Sequence, residues 1–141
     1  MSYPVWPAGL TQFERSGWQS QRQDARRRRQ GEAGPPAWRR RFSSVSTVIG
    51  VSLVTDRNGK AVFDRFYEQG TAYGSVLFWM PDPVTDGWAL NASTGAPLLT
   101  GAGAPLVMAA LRLCSFGDEP PVETMIGDVG FRFAFSVVVM P

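Results

Sequence analysis

Histidine is missing from the 141 residues of this chain, and cysteine occurs once, as Cys114. The first absence removes the commonest general base and the commonest metal ligand. The two together put zinc sites and Ser–His or Cys–His nucleophile pairs out of reach within one chain. A lone cysteine also excludes an internal disulfide. No uncharged apolar run approaches the roughly 18 residues a spanning helix needs, so no membrane association is expected. The opening Met-Ser-Tyr-Pro-Val-Trp-Pro has neither a basic head nor a long apolar stretch. That is not the pattern of a secretion signal, and the expectation is a soluble protein made in the cytosol. Gly101-Ala-Gly-Ala-Pro105 lacks the lysine and helix start of a phosphate loop. Paired carboxylates are the remaining catalytic option. However, Asp56, Asp82, Asp86, Asp118, Glu119 and Asp128 mostly stand beside glycine or proline, where solvated turn caps are the ordinary role. The expectation is a protein that is not an enzyme and holds no cofactor or metal.

What is present is glycine and proline, 15 and 11 residues, which favour a β-rich, turn-rich fold of one domain. Charge is divided unevenly. Residues 1–41 hold nine arginines against Glu14, Asp24 and Glu32, a net of +6, while residues 42–141 hold five basic and nine acidic residues, a net of −4. The overall +2 therefore hides a basic front and an acidic body. Apolar residues arrive singly in the front part, as Tyr3, Val5, Trp6, Leu10, Phe13, Trp18 and Trp38, so the segment is expected to be an extended arm without a core of its own. Isolated aromatics in a charged arm suit docking on a partner's surface.

Two functional readings compete for Arg26, Arg27, Arg28 and Arg29 and for Arg39, Arg40 and Arg41. In one, guanidinium groups neutralise phosphates while tryptophans stack on bases. In the other, the basic arm of one copy lies on the acidic body of the next. A solvated charge run is the bland alternative to both. No recognisable nucleic-acid motif accompanies the arginines, so self-association is the favoured reading and specific nucleic-acid binding is not expected. The arm residues expected at the subunit interface are Tyr3, Trp6, Trp18 and Trp38 with the seven arginines.

From Phe42 the pattern becomes that of a single β-rich domain. Val45, Thr47, Ile49, Val51 and Leu53 alternate along a strand with a buried Ile49 face. Val62, Phe63, Phe66 and Tyr67 share one face of a helix near 57–69, with Asp56 or Asn58 to cap it and Gly70 to end it. Ser75–Met80 reads as a strand closed by Pro81. A long loop near 81–105 carries Trp88 and Leu90 in its one apolar patch, and loops of that length are usually functional, so it is expected to contact neighbours. Leu106–Ser115 and Val129–Met140 read as strands with a turn region between them. On the last, Phe131, Phe133, Phe135, Val137 and Val139 form one face, which is core in character. Arg112 and Arg132 interrupt their faces and are expected at a rim facing another subunit.

The order is basic arm, strand, helix, strand, long loop, strand, turn, strand. Arg39-Arg-Arg-Phe-Ser-Ser-Val-Ser-Thr-Val48, then Val62-Phe-x-x-Phe66-Tyr67, then Gly74-Ser-Val-Leu-Phe-Trp-Met-Pro81 resembles the small tail-tip proteins of long-tailed bacteriophages. These are the minor tail protein M type and the related ring-forming N-terminal part of distal tail proteins. The resemblance covers roughly residues 37–141. The arginine-rich Gln21–Pro36 and the glycine- and alanine-rich Ala92–Ala104 depart from it. It implies a mainly β (α+β) fold, a β-sandwich or partly open barrel with one flanking helix. It also implies a structural virion protein at the tail tip. Copies, typically six, would form a ring joining the tail tube protein above to hub or baseplate proteins below. The rival is a nucleic-acid-binding β-barrel with an arginine-rich arm.

Overall fold

The computed structural model describes residues 2–141 and is mainly β, in antiparallel sheets with one flanking α-helix. The strands are β1 (Gln19–Arg22), β2 (Arg26–Arg29), β3 (Ala37–Arg40), β4 (Thr47–Thr55), β5 (Phe78–Pro81), β6 (Leu111–Phe116), β7 (Val122–Ile126) and β8 (Gly130–Val139). The helix α1 is Arg57–Arg65, and a π-type turn at Phe66–Gly70 continues it. No helix among the described residues is long and apolar enough to cross a membrane.

The two strongest period-two runs of the sequence pair with each other. β4 and β8 are antiparallel from Thr47↔Val139 to Thr55↔Phe131, which lines up Ile49, Val51 and Leu53 with Val137, Phe135 and Phe133 on one face. All six are buried. The sheet continues in the order β1-β4-β8-β6-β5, and β7 shares the β6 side of β8.

Both edges of this sheet are met by the N-terminal segment. Trp79 of β5 exchanges hydrogen bonds with Pro4 and Trp6 (2.9 and 2.7 Å), while Val54 and Ser52 of β4 bond to Gln12 and Glu14 (3.2 and 2.7 Å). Residues 6–12 therefore cross from one edge to the other and close what is otherwise an open barrel. Trp6 and Leu10 fill its interior, at 4% and 1% exposure. The Trp6 ring has the rings of Phe13, Phe63, Phe66, Phe78 and Phe135 within 5.3–6.1 Å.

This corrects the expected arm over residues 1–41. Single apolar residues between prolines cannot form a core by themselves, but here they complete one whose other walls come from the distant strands and helix. Glu14 is fastened as well, because Arg132 donates from Nε to Oε1 at 2.6 Å and from Nη2 to Oε2 at 3.3 Å. Arg132 is thus held within its own protomer. Arg112 is too, donating from Nε to Asp82 Oδ2 at 3.1 Å.

Helix α1 lies over the same core. Asp56 caps it by accepting from the Gly59 amide at 2.9 Å, and Phe63 stacks on Phe133 at 4.1 Å between centroids. Phe66 and Phe63 are buried and Tyr67 is half-buried, but Val62 stays 43% exposed, at the margin of the expected apolar face. Strand β5 starts at Phe78 rather than Ser75. Thr71–Ser75 form a turn instead, with Ala72, Tyr73 and Gly74 all at positive φ. The expected turn before the last strand contains β7, which pairs with β8 from Val122↔Ala134 to Ile126↔Gly130.

Candidate functional site

Two structures project from one end of the sheet. Strand β1 leaves at Arg22 and β4 re-enters at Thr47, opposite Val139. Strand β5 leaves at Pro81, and β6 re-enters at Leu111, its partner. The first gap carries a separate two-stranded ribbon, β2–β3, and the second carries the long loop.

In the ribbon the register is Arg26↔Arg40, Arg27↔Arg39, Arg28↔Trp38 and Arg29↔Ala37. Pairs directly opposite share a face, so Arg26, Arg28, Trp38 and Arg40 form one side, and Arg27, Arg29, Ala37 and Arg39 the other. All eight are exposed. Like charges set directly opposite each other destabilise a strand pair, and here two such pairs are adjacent. Internal relief is small. Arg26 donates to Asp24 at 2.9 Å, which holds the Asp24 carboxyl below and the Arg26 guanidinium above their usual ranges, chiefly through that hydrogen bond. The Arg26 guanidinium also sits 4.1 Å over the Trp38 ring, and that of Arg41 lies 5.3 Å from the Phe42 ring. Arg27, Arg28, Arg29, Arg39, Arg40 and Arg41 have no carboxylate partner among the described residues. With Gln30 they line an open concavity of about 640 Å³. Chemically this surface presents repeated, forked guanidinium donors of the kind that pair with carboxylate or phosphate.

The loop is organised by its backbone. Isolated pairings Ala89↔Val107, Asn91↔Pro97 and Leu99↔Pro105 give a stem and two small leaves. They meet where Leu90 N–H donates to Leu106 O (2.8 Å), Leu106 N–H to Leu98 O (2.9 Å) and Leu98 N–H to Leu90 O (2.9 Å). The three leucines are spaced by eight residues, and Gly95-Ala-Pro-Leu98 recurs as Gly103-Ala-Pro-Leu106. That short repeat is the sequence signal of the two leaves. From Gly87 to Leu111 no side chain is charged, and Trp88, Leu90, Leu98, Leu99 and Leu106 are 40–56% exposed. The stem is fixed to the body by Asp86 accepting from the Ala110 amide at 2.9 Å and by the Arg112–Asp82 pair. Burial raises the Asp82 carboxyl, but the Val84 amide and the Arg112 charge outweigh it and leave its pKa below the usual 3.8.

The residues expected at an interface therefore fall into four places. Arg26, Arg27, Arg28, Arg29, Trp38, Arg39, Arg40 and Arg41 come together on or beside the ribbon, and Trp88 and Leu90 on the loop. Tyr3 is 39% exposed near the β5 edge. Trp6 is withdrawn from the set, because its own core occupies the whole ring. Trp18 is half-buried against that core, and its Nε1 is shut off from solvent without an acceptor among the described residues. Trp38, the tryptophan of the three nearest the body in sequence, is the one left in the open.

A scan against protein-family models and a search of curated proteins find no match for the chain.

Proposed function

We propose that this chain is a structural subunit of a ring at the tail tip of a long-tailed bacteriophage or a phage-like particle. On this reading the copies, on the order of six, associate head to tail between the tail tube protein and the hub or baseplate proteins. The protein works in the virion after synthesis in the host cytoplasm, and it binds and positions rather than catalyses.

The observation that carries this reading is the freestanding arginine ribbon. Six guanidinium groups without a carboxylate of their own sit on a chain whose remaining body is net acidic, so the counter-charge is supplied from outside the protomer. A ribbon so charged gains more from an anionic neighbour than from solvent alone. The uncharged loop head supplies a second contact surface of different chemistry, suited to apolar faces of the proteins above or below. The succession of strand, helix and aromatic strand closing on proline is in keeping with the tail-tip resemblance, while three strands, β6, β7 and β8, follow where that resemblance implies two.

One observation favours a second reading. A two-stranded ribbon has the width the major groove of DNA admits, and arginine is the residue most used there. Sedimentation of the purified chain against salt, with and without duplex DNA, separates the two. Ring formation that ignores DNA supports the subunit role. Tight, non-selective DNA binding that falls steeply with salt supports the rival. Replacing Arg26–Arg29 together with serine should leave the fold intact, since all four are exposed, and should abolish incorporation into particles. Normal incorporation of that variant would overturn the role given to the ribbon.

A further inference from the structure

The body has nine carboxylates, and most already have a task within the protomer. Asp56 caps α1, Asp64 and Glu123 both bind Lys60 at 2.9 Å, Asp82 binds Arg112, and Asp86 accepts from the Ala110 amide. Glu68, Asp118, Glu119 and Asp128 have neither a cation nor a capping amide among the described residues. Three of these four bracket a single strand. Asp118 and Glu119 lie in the turn that enters β7, and Asp128 lies in the turn that leaves it.

Strand β7 is an edge of the sheet open to addition. It pairs with β8 on one side only, and its residues from Val122 to Met125 are all exposed, Val122 at 56% and Met125 at 70%. An unpaired edge presents a row of free amides and carbonyls. Between Arg112 and Arg132 the chain has four acidic and no basic residues. This edge lies on the other side of β8 from β1 and β4, from whose ends the arginine ribbon projects. The two outer edges of the ribbon are also unpaired, and its four-residue strands are one residue shorter than β7.

From these facts we infer that the arginine ribbon of one copy docks along the β7 edge of the next, its guanidinium groups meeting Asp118, Glu119 and Asp128. The inference rests on the ring reading above and names the surface that the ribbon contacts. The two patches are different, complementary and on opposite sides of one sheet. That is what a head-to-tail contact needs, because each copy then offers one patch and accepts on the other. Opposed charge sets the register and speeds encounter, and backbone pairing along the edge adds to the hold.

Charge reversal on the full chain tests it. Asp118→Lys with Glu119→Lys should weaken self-association, read by sedimentation at low salt, by at least about tenfold. Arg27→Glu with Arg39→Glu should do the same. All four sites are exposed, and circular dichroism should report an unchanged fold. The chain with all four reversals should recover association, because each patch again meets its opposite. Loss on reversing the arginines, with no effect of reversing Asp118 and Glu119, overturns this surface and leaves the ring reading standing. Failure of the four-fold variant to recover also overturns it. A wild-type chain that stays monomeric at every salt concentration overturns both.

Discussion

The indole Nε1 of Trp6 donates to the carbonyl oxygen of Leu10 over 2.7 Å, inside the barrel. The bond bends the crossing segment so that both side chains point inward, where both are almost fully enclosed. Trp6→Ala should cost about 3–5 kcal/mol, from lost burial and the cavity left among five aromatic rings. Trp6→Phe keeps most of the apolar contact but leaves the Leu10 carbonyl without its donor, and should cost about 1–3 kcal/mol. Urea unfolding followed by fluorescence or far-ultraviolet dichroism would measure both. A Trp6→Phe variant as stable as the wild type would show that the hydrogen bond contributes nothing.

Thr71 is the only polar residue that is fully buried among the described residues. Its hydroxyl donates to Tyr67 O at 2.8 Å and accepts from Gly74 N–H at 3.1 Å, tying the end of the π-type turn to three successive residues of positive φ. Two of those, Ala72 and Tyr73, carry a side chain, so the turn is strained by about 1–3 kcal/mol for each. Thr71→Val preserves shape but removes both bonds and should destabilise by about 1–3 kcal/mol, with Thr71→Ser recovering much of the loss. Thermal unfolding of the three proteins would decide it.

Cys114 is 2% exposed, and burial raises its thiol pKa from the usual 9.0 to about 11, with Arg112 lowering it slightly and Asp82 raising it. The folded state thus holds this proton more tightly than the unfolded chain. The stability it lends is present in full below pH 9.0 and is lost as pH rises through about 11. Wild-type stability should fall relative to Cys114→Ala across that interval and run parallel to it below. Alkylation by iodoacetamide should be slow in the folded protein and fast in denaturant. Rapid alkylation of the folded protein at neutral pH would contradict the enclosure of this residue.

The parts of the fold legible in the sequence are those with one face buried. Alternation marks β4 and β8 because Ile49, Val51, Phe133, Phe135 and Val137 face a core while their neighbours do not. Phe63 and Phe66, with Asp56 before them, mark the helix for the same reason. Strands β1, β2 and β3 are exposed throughout, so no periodicity distinguishes Gln-Ser-Gln-Arg or four arginines from a coil. Strand β7 is short, follows two prolines and is likewise exposed. Leu106–Ala110, read as strand, is instead used by the loop junction, where leucine backbones close on one another. The clustering of the arginines was evident, whereas their placement on a ribbon separate from the body follows only from the pairing of β2 with β3. The burial of Trp6 is not legible in the sequence because its ring partners run from Phe13 to Phe135, and its sequence neighbours give no hint of them.

The position of Trp6 also orders events during synthesis. Its companions on α1, β5 and β8 leave the ribosome long after it does, and the closing segment cannot settle until the last strand has been made. Until β8 has emerged the nascent chain therefore holds a bare indole, an unclosed sheet and a run of arginines, and the barrel closes only after that strand is made.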